Sequence, residues 1–177
     1  MDSAASEKSI IALDRWLQSP AGAYVRAWEQ ACLDELTVDI FGFNAIQIGV
    51  PQIDALAANR MPNKWQAATR TSTADELAIA SSGKQIAVAL DFADLPFASQ
   101  SLDLVVLPHV LEFAPEPHQV LREVERVLIP EGQLIICGFN PASLWGVRQG
   151  LGRLARSPYL PAAGEFISMP RMKDWLK

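Results

Sequence analysis

The chain has 177 residues, half of them apolar and a fifth charged, with a net charge of −5. That balance excludes a disordered chain and a bulk electrostatic affinity for nucleic acid, and the length suits one domain with a real core. Cys32 and Cys137 stand far apart, with no Cys-x-x-Cys and no His cluster beside them, which argues against a disulfide framework or a metal site and for reduced thiols in a cytoplasmic protein.

The opening text, MDSAASEKS, places acid ahead of base, and no signal peptide is expected from it. No apolar run approaches the roughly 18 residues of a membrane-spanning helix, so no membrane association is expected. Ile10 to Leu17 reads as a short amphipathic helix, with Ile10, Leu13, Trp16 and Leu17 on one stripe and Ser19-Pro20 as its stop. Ala21 to Leu36 reads as a longer helix whose apolar stripe is Tyr24, Trp28, Ala31 and Leu36, with Arg26 and Glu29 off it.

Phe43 to Gly49 alternates and is β-branched, which predicts a strand turned out by Gly49-Val50-Pro51. A short helix over Ile53 to Ala58, a strand over Trp65 to Thr69, a helical turn over Ala74 to Ala80 and a strand over Gln85 to Leu90 follow. Leu102 to Leu107 carries the continuous apolar text of a strand covered on both faces. Glu116 to Leu128 is a helix with Pro117 at its first position and Val120, Leu121, Val124, Val127 and Leu128 on one face. Ile129-Pro130-Glu131-Gly132 reads as a type I turn into a last strand, Gln133 to Gly138.

Strands alternating with helices predict an α/β fold: a parallel sheet wrapped on both faces, with ligands bound beyond the carboxyl ends of the strands. The residues that follow the strands therefore draw attention: Gly49 to Pro51, Thr69 to Ser72, Asp91 and Phe92, Pro108 to Val110, and Gly138 to Asn140.

Between Leu90 and Pro141 the text LDFADLPFASQSLDLVVLPHVLEF, followed by HQVLREVERVLIPEGQLIICGFNP, resembles the class I S-adenosylmethionine-dependent methyltransferases, in particular the type 11 methyltransferase domain. The resemblance implies a Rossmann-like class I sheet with helices on both faces. It implies S-adenosylmethionine as cofactor, S-adenosylhomocysteine as product, and methyl transfer to a small-molecule acceptor. By the same resemblance Asp91 and Phe92 contact adenine, Gly49 and Pro108 border the cofactor, and Asp103 has a structural role. His109 stands where the sulfonium and the acceptor meet, as the candidate catalytic residue. Asn140 is a candidate acceptor contact, or the cap of a turn. His109 can equally be a packing residue, and Asp94-Leu95-Pro96-Phe97 a turn with a packed Phe.

The chain also departs from the family's pattern. Gln47 stands where an acid ends the first strand, and Pro51 and Ile53 replace the second and third glycines of the cofactor loop. Pro51 has no N–H to offer and Ile53 is β-branched. After the second strand the acids Asp75 and Glu76 come late for a ribose contact. The expected organisation is an N-terminal helical segment over residues 1–40, a methyltransferase-like core over 41–140 and a lid-like segment over 141–177. The lid carries Arg148, Arg153 and Arg156, and RMKDWLK at 171–177 starts a helix that the family follows with two further strands. Without those strands an uncovered sheet edge invites self-association. The alternative function is a non-catalytic relative that binds a partner and has lost the cofactor. A nucleotide-binding dehydrogenase would need a full Gly-x-Gly-x-x-Gly, of which only Gly49 is present.

Overall fold

A five-stranded sheet in the order β3-β2-β1-β4-β5 organises the protein. The computed structural model describes Leu13 and residues 16–69, 86–90, 92–143 and 166–177, and of residues 68, 69 and 86–90 the backbone alone. The strands are β1 (Asn44–Ile48), β2 (Asn63–Thr69), β3 (Ile86–Leu90), β4 (Leu102–Pro108) and β5 (Leu128–Cys137). Every pairing is parallel. The helices described from end to end are α1 (Pro20–Thr37), α2 (Pro117–Val127) and α3 (Met169–Trp175). The order reverses between β1 and β4, which makes that junction a topological switch point, the place where such sheets open a ligand crevice.

Alternation along the two central strands builds two cores. Ile46, Ile48, Val105 and Leu107 point to one face, against Val120, Leu121, Val124 and Val127 of α2, with Met172 and Trp175 of α3 packed beside them. Ala45, Leu104 and Val106 point to the other, against Leu33 of α1 and Leu13, Leu17 and Phe113. The side-chain period of two thus supplies an apolar surface to each face of one sheet. Asp103, between two buried strand residues, accepts from the backbone N–H groups of Phe43 at 3.0 Å and Asn44 at 2.9 Å. It holds the entry of β1 beside β4, the structural role the resemblance implied.

Four sequence expectations change. Ser19 does not only end a helix: its hydroxyl accepts from the Gly22 N–H at 3.2 Å and caps α1, with Pro20 in the first turn. The predicted apolar stripe of α1 faces outward, with Tyr24 72% and Trp28 62% exposed, while Gly22, Glu29, Leu33 and Thr37 are buried. The short helix expected over 53–58 is a series of turns. The type I turn expected over 129–132 lies inside β5, which begins at Leu128, and Glu131 there takes φ +67°, outside the type I pattern. The early helix is described at Leu13, Trp16 and Leu17. The expected turn at 74–80, the late acids Asp75 and Glu76, Asp91, and the arginines of the lid all lie outside the described residues.

Candidate active site

The end of β1 meets the end of β4 at Gly49. This residue has φ +126°, and a Cβ there would stand 2.6 Å from the Pro108 carbonyl oxygen and 2.7 Å from a methyl of Val110. Glycine is required for the two strand ends to close on each other. Pro108 is buried at that contact. Phe92 is also buried, its ring packed in the core that contains Leu95 and Leu111. The Leu95–Phe97 turn is clamped by α2: Arg126 donates to the carbonyls of Leu95 at 2.9 Å and Phe97 at 2.8 Å, and Glu123 accepts from Leu95 N–H at 3.1 Å. Trp65 lies against the Phe97 ring at 6.0 Å.

The loop after β1 is tied to itself. The amide nitrogen of Gln47 donates to the carbonyls of Val50 at 3.0 Å and Ile53 at 2.6 Å, and its oxygen accepts from Ala55 N–H at 2.7 Å. Ile53 and Ala55 are fully buried. In this loop Gln47 does for the protein's own backbone what a ligand-facing acid would do for a cofactor.

Past β4 stands a buried charge cluster. His109, in the left-handed region at φ +52° and 1% exposed, engages both ring nitrogens. Its Nε2 is 3.0 and 3.2 Å from the two carboxylate oxygens of Glu29, and its Nδ1 is 3.3 Å from Oε2 of Glu112. Burial alone would lower the His109 pKa. Hydrogen bonds and charge from Glu112 and Glu29 outweigh it and raise the value from 6.5 to about 10, so the ring is an imidazolium at neutral pH. The second oxygen of Glu112 accepts from the backbone N–H of Phe139. Gly138 makes room for this: a Cβ there would sit 2.8 Å from that oxygen. The Phe139 ring covers His109 with centroids 4.5 Å apart, and Trp16 meets its edge. A backbone held at positive φ in a non-glycine residue costs about 1–3 kcal/mol and persists where surroundings over-determine it, as they do here.

Beside the cluster opens a pocket of about 100 Å³, lined by Leu111, Glu112, Ile136, Cys137, Gly138 and Asn140 and bordered by Ile167, Met169 and Met172. The Asn140 Oδ1 accepts from Ala142 N–H at 2.9 Å, so the side chain caps its turn while bordering the pocket. Burial first, then Glu29, Cys32 and Glu112, pushes the Cys137 thiol up to about 12. No group of three metal-ligating side chains gathers among the described residues.

The structure therefore places Asn140 and Glu112, a partner of His109, on one pocket past β4 and β5, and Gly49 with Pro108 at the switch point. It places Phe92 in the core and leaves Asp91 undescribed. Sequence reasoning missed Glu29 and Glu112 as partners of His109. Glu112 did carry a signal, as a single acid inside the apolar text LPHVLEFA. Glu29 carried none, because an acid on a helix reads as solvent-facing until the helix is docked.

Comparison with known proteins agrees with this geometry. Residues 54–136 match the family described as "Methyltransferase domain". The Escherichia coli (strain K12) protein YafS is 30% identical over 172 residues, covering 96% of this chain and 65% of that protein. A malonyl-[acyl-carrier protein] O-methyltransferase of Laribacter hongkongensis is 34% identical over 89 residues, 50% of this chain and 29% of that enzyme. The chain thus spans less than two thirds of the length of either relative. A solved Thermotoga maritima structure, titled as a SAM-dependent methyltransferase and possible histamine N-methyltransferase, superposes with a TM-score of 0.69 at 18% identity, over 98% of this chain and 77% of that one.

Proposed function

We propose that this chain, residues 54–136 of which match the methyltransferase domain family, is a class I S-adenosylmethionine-dependent methyltransferase that binds S-adenosylmethionine at the β1/β4 switch point and serves methyl transfer to a small-molecule acceptor. The observation that carries this reading is the closure of Gly49 on Pro108 at the point where the strand order reverses. The cofactor would bring an electrophilic methyl group. The protein's share is to align the acceptor with it and exclude water, and alignment of that kind can contribute roughly 7–11 kcal/mol. The fit is partial. The switch point suits the cofactor, but the described part of the β1 loop spends the polar atoms of Gln47 on itself. Asp91 is the residue we assign to adenine and Asn140 to the acceptor. His109, with both ring nitrogens held by carboxylates, contributes charge and position to the site.

A second reading is favoured by the same loop. A chain whose Gln47 satisfies Val50, Ile53 and Ala55 needs no cofactor to fold there, and would serve as a binding partner without chemistry. Among the described residues β5 is a sheet edge, where a second copy of the chain would pair. No described helix is long and apolar enough to cross a membrane.

Calorimetric titration of the chain and of Asp91→Ala with S-adenosylmethionine and S-adenosylhomocysteine separates the two readings. Micromolar binding lost in the variant supports the methyltransferase site. Absence of heat, with no thermal stabilisation at millimolar ligand, supports the second reading. Ligand at a hundred times its Kd adds about 2.7 kcal/mol of stability, which a melting curve registers.

A further inference from the structure

The pocket past β4 and β5 has one charged side chain among its described lining residues, Glu112, which is 4% exposed. It shares its one cationic neighbour: Glu29 and Glu112 both face the single imidazole of His109. A carboxylate has about four acceptor positions. His109 takes one and the Phe139 N–H another, which leaves acceptor capacity at the pocket wall. The remaining lining is largely apolar, and Met169 and Met172 are unbranched thioethers that adapt to irregular shapes. Cys137 adds no charge, because its thiol stays protonated.

We infer that this pocket takes a short apolar amine, whose ammonium donates to the Glu112 carboxylate while its alkyl part lies among Leu111, Ile136, Ile167, Met169 and Met172. The inference rests on reading this pocket as the acceptor side of the proposed methyltransferase. A carboxylic acid of the same size is rejected by Glu112. A neutral alcohol binds more weakly, because it forms the hydrogen bond without the charge.

The test uses the full chain with 13C-labelled methionine methyl groups, titrated with n-butylammonium, n-butanol and n-butyrate in the absence of cofactor. Butylammonium should shift the Met169 and Met172 signals saturably. Butanol should bind about tenfold more weakly, and butyrate should leave them unmoved. Met61, buried in the opposite core, should not respond. Glu112→Gln should bring amine and alcohol to within about twofold of each other. Met172→Trp, which fills the pocket and leaves Glu112 in place, should remove the saturable shift at Met169 and decides the matter if Glu112→Gln does not fold. Equal affinity for amine and alcohol in the wild type, an amine response that survives Met172→Trp, or no saturable shift at all overturns the inference. Amine binding without cofactor binding would retire the methyltransferase reading and leave the pocket. Cofactor binding without amine binding would do the reverse.

Discussion

Glu29 and His109 are 80 positions apart in the chain and 3.0 Å apart in the fold, joined through the imidazole Nε2 and a carboxylate oxygen. This contact docks α1 onto the end of β4 with a charge rather than with an apolar side chain alone. A buried pair of this kind is no guarantee of net stability, because desolvation offsets attraction. Removing one member is costly all the same, since it leaves an uncompensated charge behind.

His109→Gln should therefore destabilise the chain by about 3–5 kcal/mol at pH 7. It strands Glu29 and Glu112 together without their cation. Glu29→Gln should cost less, about 1.5–3 kcal/mol, since Glu112 still faces the ring. Urea unfolding of both variants ranks them, and a larger loss for Glu29→Gln would mean that Glu112 is the weaker partner.

The same cluster sets a pH dependence. The folded chain holds the His109 proton up to about 10, against 6.5 unfolded. Between those values the folded state binds more protons than the unfolded one, so stability falls as pH rises. The contribution is complete below about 6.5, declines by up to roughly 1.4 kcal/mol per pH unit, and is gone above about 10. Unfolding free energies measured from pH 6 to 9 should show this slope in the wild type and lose it in His109→Gln. Above pH 9 the raised Cys137 thiol adds a slope of the same sign.

Cys137 should resist alkylation. Its thiol is pushed from 9.0 up to about 12, first by burial and then by neighbouring negative groups. Iodoacetamide reacts with the thiolate, so at pH 8 labelling of Cys137 in the folded chain should be slower than in urea by more than roughly a hundredfold. Peptide mass spectrometry of timed samples reads this, and rapid labelling of native Cys137 would show that its surroundings are more open than the structure has them.

Gly49→Ala tests the switch point. The added methyl would meet the Pro108 carbonyl and Val110, at a backbone angle that an L side chain rarely adopts. A loss of about 1–3 kcal/mol is expected. A melting temperature within a degree of the wild type would mean that the strand ends are not in contact.

The reversed face of α1 is open to a direct check. Trp28→Lys should change stability by no more than about 0.5 kcal/mol. Leu33→Ala, at a site 1% exposed, should cost about 2–5 kcal/mol. The opposite ranking would restore the stripe that periodicity alone suggests.

Local pattern by itself determined much of this protein. The continuous apolar text of Leu102 to Leu107, the alternation before Gly49 and the face of Val120, Leu121, Val124 and Val127 each bury the residues they advertise, because burial of a strand or a helix stripe is written in its period. The similarity to the methyltransferase domain family, too, was legible in the run from Leu90 to Pro141, which overlaps the matched residues 54–136. Three things waited for tertiary structure. The face of α1 was decided by docking, since Tyr24 and Trp28 make as good an apolar stripe as the Leu33 side until a sheet is present to choose. The partners of His109 were decided by the crossing of α1 over β4, because no spacing in a sequence measures a contact between positions 29 and 109. The loop after β1 was decided by Gln47, whose amide satisfies three backbone groups that only the folded loop brings within reach. Periodicity reports which residues leave water; which buried polar group meets which is a property of the assembled fold alone.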